Sequence, residues 1–161
     1  MTSILVLLST GHRLLHALLM QARAAVGEGD WAEAQGCLAE FVQRLETHMR
    51  AEETVLFPRL SGQGAAVDAM LARCRREHDG LRVDMRSAMA ACKAHDRIGF
   101  EALLAHLREA FSRHCRDEEQ RLYTLTGGMD EGDLGALAGA LSAAGDEGVS
   151  GSLLPPDSRL H

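Results

Sequence analysis

The chain has 161 residues, 46% hydrophobic and 25% charged, a length and balance that fit one well-buried domain and exclude disorder of the whole chain. Its net charge of -6 argues against a nucleic-acid binder, which carries a basic face. Aromatic residues at 4%, three prolines and abundant Ala and Leu favour helices over strands.

The N-terminal apolar run Ile4–Leu8 is too short to span a bilayer and has no basic residue before it. It reads as neither a membrane span nor a secretory signal, so the sequence suggests an all-α cytoplasmic protein without membrane partners. A first helix is predicted from about Ile4 to Val26, with the core stripe Leu5, Leu8, His12, Leu15, Leu19, Ala22 and Val26. Gly27, Gly29 and Asp30 end it. A second runs from Asp30, read as its N-cap, to about Pro58, with the stripe Leu38, Phe41, Leu45, His48, Glu52 and Val55. After a loop at Ser61–Gly64, a third helix spans about Ala65 to Ala94 and shows Leu71, Cys74, His78, Leu81, Met85, Ala88 and Cys92. The fourth, from about Phe100 to Leu125, carries Leu104, Leu107, Phe111, His114 and Glu118, followed by Arg121 and Leu122. A short helix is expected from Asp130 to Ala143, with Leu134, Leu137 and Leu141 on one face. From Gly145 to His161 the chain reads as a flexible tail, with docking onto a second protomer (a homodimer) through Leu153 and Leu154 as the alternative.

All four stripes step alternately by three and four residues, the seam of helices packed in a bundle. Short connections predict antiparallel neighbours, hence an up-down-up-down four-helix bundle over residues 1–126, with 127–161 as helix and tail. Each seam has a metal-capable polar residue near mid-height. Burying an unpartnered carboxylate costs several kcal/mol, so four such interruptions call for a partner.

The interruptions also repeat. His78 follows His12 by 66 positions, as His114 follows His48 and Glu118 follows Glu52. The same offset relates Leu15 to Leu81, Leu38 to Leu104, Arg50 to Arg116, Glu53 to Glu119, Leu56 to Leu122 and Phe57 to Tyr123. Each half is a helical hairpin offering one His from its first helix and His-x-x-x-Glu from its second. Residues at i and i+4 are neighbours on a helix surface, so each pair can address the same metal ion or an adjacent pair. Two His and one carboxylate per half is the composition of non-haem Fe(II) sites, and it also suits Zn(II). Two half-sites this close favour a dinuclear centre, with iron preferred and Mn or Zn left open.

His12, the segment His48-Met-Arg-Ala-Glu-Glu-Thr-Val-Leu-Phe-Pro58, the pair Glu77-His78 and the segment His114-Cys-Arg-Asp-Glu-Glu-Gln-Arg-Leu-Tyr123 resemble the hemerythrin-like HHE cation-binding domain over roughly residues 1–126. The resemblance implies an oxo- or hydroxo-bridged di-iron centre with Glu52 and Glu118 bridging and His12, His48, His78 and His114 as terminal ligands. It further implies binding or sensing of O2, NO or peroxide, or iron handling. The alternative is a di-iron enzyme of peroxidase, oxidase, NO-reducing or iron–sulfur repair type. Arg82 stands where oxygen-carrying hemerythrins have a second histidine one turn on, so the chain is similar to the four-His, two-Glu branch.

Other candidates read as structural. His16 lies at the flank of a seam and is expected to be partly exposed; His95, His106 and His161 read as surface. Glu53 and Glu119 sit one residue past the seam and are expected to be solvated, while Tyr123 is expected to pack as Phe57 does. Cys37, Cys74, Cys92 and Cys115 form no CxxC pair and read as free thiols, Cys74 and Cys92 in the core and Cys115 inert.

Overall fold

A computed structural model describes residues 4–146 and shows an all-helical bundle. Helices α1 (Ile4–Glu28) and α2 (Trp31–Ala51) form one hairpin. α2 runs on through a π turn at Glu52–Leu56 into a short α3 (Phe57–Leu60). The second hairpin pairs α4 (Ala65–Lys93) with α5 (Arg97–Asp117), which continues through a π turn at Glu118–Leu122 and a 3-10 segment at Tyr123–Gly128. α2 also packs on α4 and α1 on α5, closing the up-down-up-down ring. α6 (Glu131–Asp146) lies across α2, the first π turn and α1.

The two hairpins turn alike. Asp30 and Asp96, again 66 positions apart, each cap the following helix by accepting a hydrogen bond from the backbone N–H three residues on, Glu33 and Gly99 respectively. Just before each cap the chain turns left-handed, at Gly29 (φ 80) in one hairpin and His95 (φ 53) in the other. Glycine adopts that conformation freely, whereas histidine is strained there by roughly 1–2 kcal/mol. The exposed His95 ring stacks on Trp31, with centroids 4.8 Å apart and planes 6° from parallel.

The seams are buried as the periodicity predicts. Leu8, His12, Leu15, Leu19, Ala22 and Val26 on α1 and Leu71 through Cys92 on the α4 stripe lie in the interior; the side chain of Leu5 lies outside the described residues. The seam fails at one point in each half. Val55 is only half-buried and Arg121 is exposed, while their neighbours Leu56 and Leu122 are fully covered. The cause is the π turn, in which the N–H of Phe57 bonds to Glu52 O and that of Tyr123 to Glu118 O. One extra residue per turn moves the buried register forward by one. Pro58, which has no N–H, fits the first π turn, but Thr124 stands at the matching place in the second. What the two turns share is the Glu-Glu pair that opens each and the buried Leu that closes it.

Two apolar clusters fill the interior, with the polar residues of the seams between them. The larger holds Leu15, Leu45, Leu81 and Phe111; the smaller holds Leu8, Leu56, Phe57, Cys74, Leu122 and Leu137 of α6. Leu137 is buried as expected, with Leu134 and Leu141 half-buried beside it. The tail beyond residue 146, including Leu153, Leu154 and His161, lies outside the described residues. Among the described helices none is long and apolar enough to cross a membrane. Phe111 is fully buried, edge-on to Phe41 at 5.6 Å and to the His12 ring at 6.0 Å. Phe111→Ala should therefore cost about 3–5 kcal/mol in denaturant unfolding; a loss under ~1 kcal/mol would mean that this layer is not close-packed.

Candidate metal centre

The six sequence-predicted residues converge in the polar layer. His12, His48, Glu52, His78, His114 and Glu118 are each at most 5% exposed. In one half the Nε2 atoms of His12 and His48 are 3.1 Å apart. His12 Nε2 lies 3.5 Å from Glu118 Oε2, and His48 Nε2 lies 3.3 Å from Glu52 Oε1. In the other half His78 Nε2 lies 3.4 Å from Glu52 Oε2 and 3.6 Å from Glu118 Oε1, and His114 Nε2 lies 2.9 Å from Glu118 Oε1. Each carboxylate thus turns one oxygen to each histidine pair. The groups Glu52–His78–His114–Glu118 and His12–His48–Glu118 each gather their ligand atoms within 4.8 Å of one another.

This donor set fits a cation. Glu52 Oε2, His78 Nε2, His114 Nε2 and Glu118 Oε1 are all buried without a hydrogen-bond partner. Some of these atoms are close, but their contacts lack hydrogen-bond alignment. Buried polar groups are otherwise nearly always satisfied, so four orphans facing one another indicate a shared positive partner.

The outer ring nitrogens explain the orientation. His78 Nδ1 is 2.7 Å from Glu53 Oε1, His12 Nδ1 is 2.9 Å from Glu119 Oε1, and His114 Nδ1 is 2.9 Å from Glu77 Oε2. A neutral imidazole that donates from Nδ1 presents its Nε2 lone pair inward, as a metal requires. Glu119 is exposed, as read from its position, and Glu53 half-buried, and neither joins a ligand group, but each does more than meet solvent. Each reaches across to the other hairpin and fixes its first-helix histidine. The signal was the doubled Glu, which repeats with the same 66-residue offset. Arg82 holds Glu53 through two hydrogen bonds of 3.1 Å and also binds Glu46. At the matching position of the first hairpin, His16 is half-buried and leans on Phe111 at 4.7 Å, and it belongs to neither ligand group.

The halves differ at two further points. The position 66 before Glu77 is Gly11, so among the described residues no carboxylate bonds to His48 Nδ1, and a Cβ built on Gly11 would meet that atom at 3.5 Å. A cavity of about 210 Å³ bounded by Thr10, Gly11, Leu14, Arg44 and His48 opens there. The second difference is Tyr123, which does more than pack. Its hydroxyl is 2.7 Å from Glu52 Oε1 and 2.9 Å from Glu118 Oε2, and lies 3.2 and 3.3 Å from Nε2 of His12 and His48.

Electrostatics follow the same geometry. Burial pushes the His114 and His78 imidazoles toward neutrality, but Glu118 and Glu52 outweigh it and raise them to about 10 and about 9. Burial and mutual repulsion push the Glu52 carboxyl up, yet His48 and His78 hold it below its ordinary value. Glu118 is held well below its ordinary value against burial, chiefly by His114. Burial and the two carboxylates raise the Tyr123 phenol well above its ordinary value. All four cysteines are free and buried; burial pushes Cys74 up to about 12 and raises Cys115 as well, which keeps both thiols protonated. His95 and His106 lie on the surface, as read from their positions.

Comparison with protein families finds a match over residues 3–126 to the family described as the hemerythrin HHE cation binding domain. Comparisons with curated proteins and with solved structures find no match.

Proposed function

Because the chain belongs to the hemerythrin HHE cation-binding family, we propose that its buried His and Glu side chains hold two iron ions and bind or sense a small ligand: O2, NO or peroxide. One observation carries the two-ion reading: Glu52 divides its oxygens between His48 and His78, and Glu118 turns one oxygen to His12 and the other to His78 and His114. A carboxylate so placed is suited to bridging. When bound, an iron pair supplies redox-active cations with coordination positions that protein ligands leave open. The chain's residues do the rest. His12 and His48 serve one ion and His78 and His114 the other, while the apolar clusters on either side limit water.

Glu77 does not itself ligate in this reading; it aims His114. Glu77→Ala should weaken metal binding about 10–100-fold in a competition with a chromophoric chelator, with the helical fold retained. Unchanged affinity would remove Glu77 from the orienting role. The function itself is tested by anaerobic titration of the reduced, iron-loaded protein with NO and then O2, read by optical spectroscopy. A change saturating at stoichiometric gas is expected. No change at that stoichiometry would rule the ligand-binding role out. Repeated turnover of peroxide or NO by the same sample, lost in Glu52→Ala, would identify an enzyme instead of a binding module.

A further inference from the structure

We propose that Tyr123 is a further ligand of the centre, its phenolate oxygen binding the ion held by His12 and His48 and leaving the ion held by His78 and His114 as the one open to external ligands. The inference rests on the two-ion reading above.

The hydroxyl of Tyr123 stands among four inward atoms of one half-site, between 2.7 and 3.3 Å from each. One hydroxyl has a single proton and two lone pairs. It can donate to Glu52 or to Glu118, but not to both at once. A cation shared by the imidazoles, the carboxylates and the phenolate satisfies all of them together.

The other half supplies an internal control. Phe57 stacks on His78 at 5.6 Å and 20°, much as Tyr123 stacks on His12 at 5.8 Å and 25°. The two rings play the same packing role, and they differ by one oxygen atom. On the Phe57 side the atoms left without a partner are Glu52 Oε2, His78 Nε2, His114 Nε2 and Glu118 Oε1. On the Tyr123 side the facing atoms, Glu52 Oε1, Glu118 Oε2 and both Nε2 atoms, all have the phenol oxygen within reach. One half therefore offers an extra protein donor and the other does not. Tyrosinate is an established kind of iron ligand, and a hard oxygen donor suits ferric iron. On binding, the phenolic O–H bond is exchanged for a metal–oxygen bond, and the proton is released to solvent without any change of oxidation state.

Tyr123 is the chain's one tyrosine, so any tyrosinate signal belongs to it. The test loads the full chain and Tyr123→Phe with ferric iron and measures iron content, resonance Raman spectra and protons released. Both proteins are expected to hold two irons. Tyrosinate ring modes, enhanced under a visible charge-transfer band and moved by deuterated tyrosine, should appear in the wild type alone. The wild type should also release one proton more than the variant. If Tyr123→Phe does not fold, the labelled wild-type spectrum decides by itself. Two bound irons without tyrosinate modes would overturn the inference and leave the two-ion reading standing. A wild type that binds no iron would overturn that reading, and this inference with it.

Discussion

Glu118→Ala is expected to strip both metal ions from the protein, whereas His12→Ala should spare the ion on the far side. Glu118 is fully buried, with Oε2 toward His12 and Oε1 toward both His78 and His114. Its removal withdraws a donor from each half at once. The i, i+4 partner His114 then keeps its orientation through Glu77 but loses the carboxylate oxygen that stands 2.9 Å from its Nε2. Glu52→Ala should behave the same way, because its two oxygens are divided between His48 and His78. His106→Ala should change nothing, since that ring is exposed beside Asp84. Iron content across these variants, with circular dichroism to establish folding, reads the result. Full iron occupancy in Glu118→Ala, or loss of iron in His106→Ala, would show that the bridging assignment is wrong.

The second large effect is on stability, and it depends on pH. Without metal, the paired carboxylates lean on protonated imidazoles: His78 faces Glu52, Glu118 and Glu53, and His114 faces Glu118 and Glu77. Arg82 and Arg73 lie behind Glu53 and Glu77. Both histidines have pKa values raised in the folded state, to about 9 and about 10. A raised value contributes stability that is complete below the ordinary pKa of ~6.5 and is lost as pH climbs through the folded values. The metal-free protein should therefore lose stability between about pH 6.5 and pH 10. A bound cation replaces those protons, so the metal-loaded protein should not follow. Each kcal/mol moves Tm by roughly 2–4 °C in a chain of this size, and a loss of a few kcal/mol widens the gap by ~10 °C. Calorimetry of both forms across this range gives the comparison. Equal slopes, or a Tm unaffected by metal removal, would contradict it.

Much of this was legible in the sequence because the helices are long and their apolar seams regular. His12, His48, His78 and His114 interrupt those seams at positions that no apolar core would choose, and the 66-residue repeat makes chance a poor explanation. Where local backbone departs from ideal helix, periodicity misled. Val55 was expected on the seam, but the first π turn buries Leu56 instead; of Arg121 and Leu122, both read as following the fourth stripe, the second π turn buries only Leu122. The roles of Glu53, Glu119 and Glu77 depend on which residues of the opposite hairpin they meet, and spacing along one helix does not report that. Tyr123 was hidden for the opposite reason: its repeat partner is Phe57, so the ring read as packing while the hydroxyl, absent from the twin, carried the difference.

The most direct measurement is elemental analysis of the full chain, purified without chelator after iron supplementation. Two irons per chain is the expected value, with six buried ligands from four helices accounting for both. Fewer than one bound metal per chain would contradict the assignment of His12, His48, Glu52, His78, His114 and Glu118 as a metal centre.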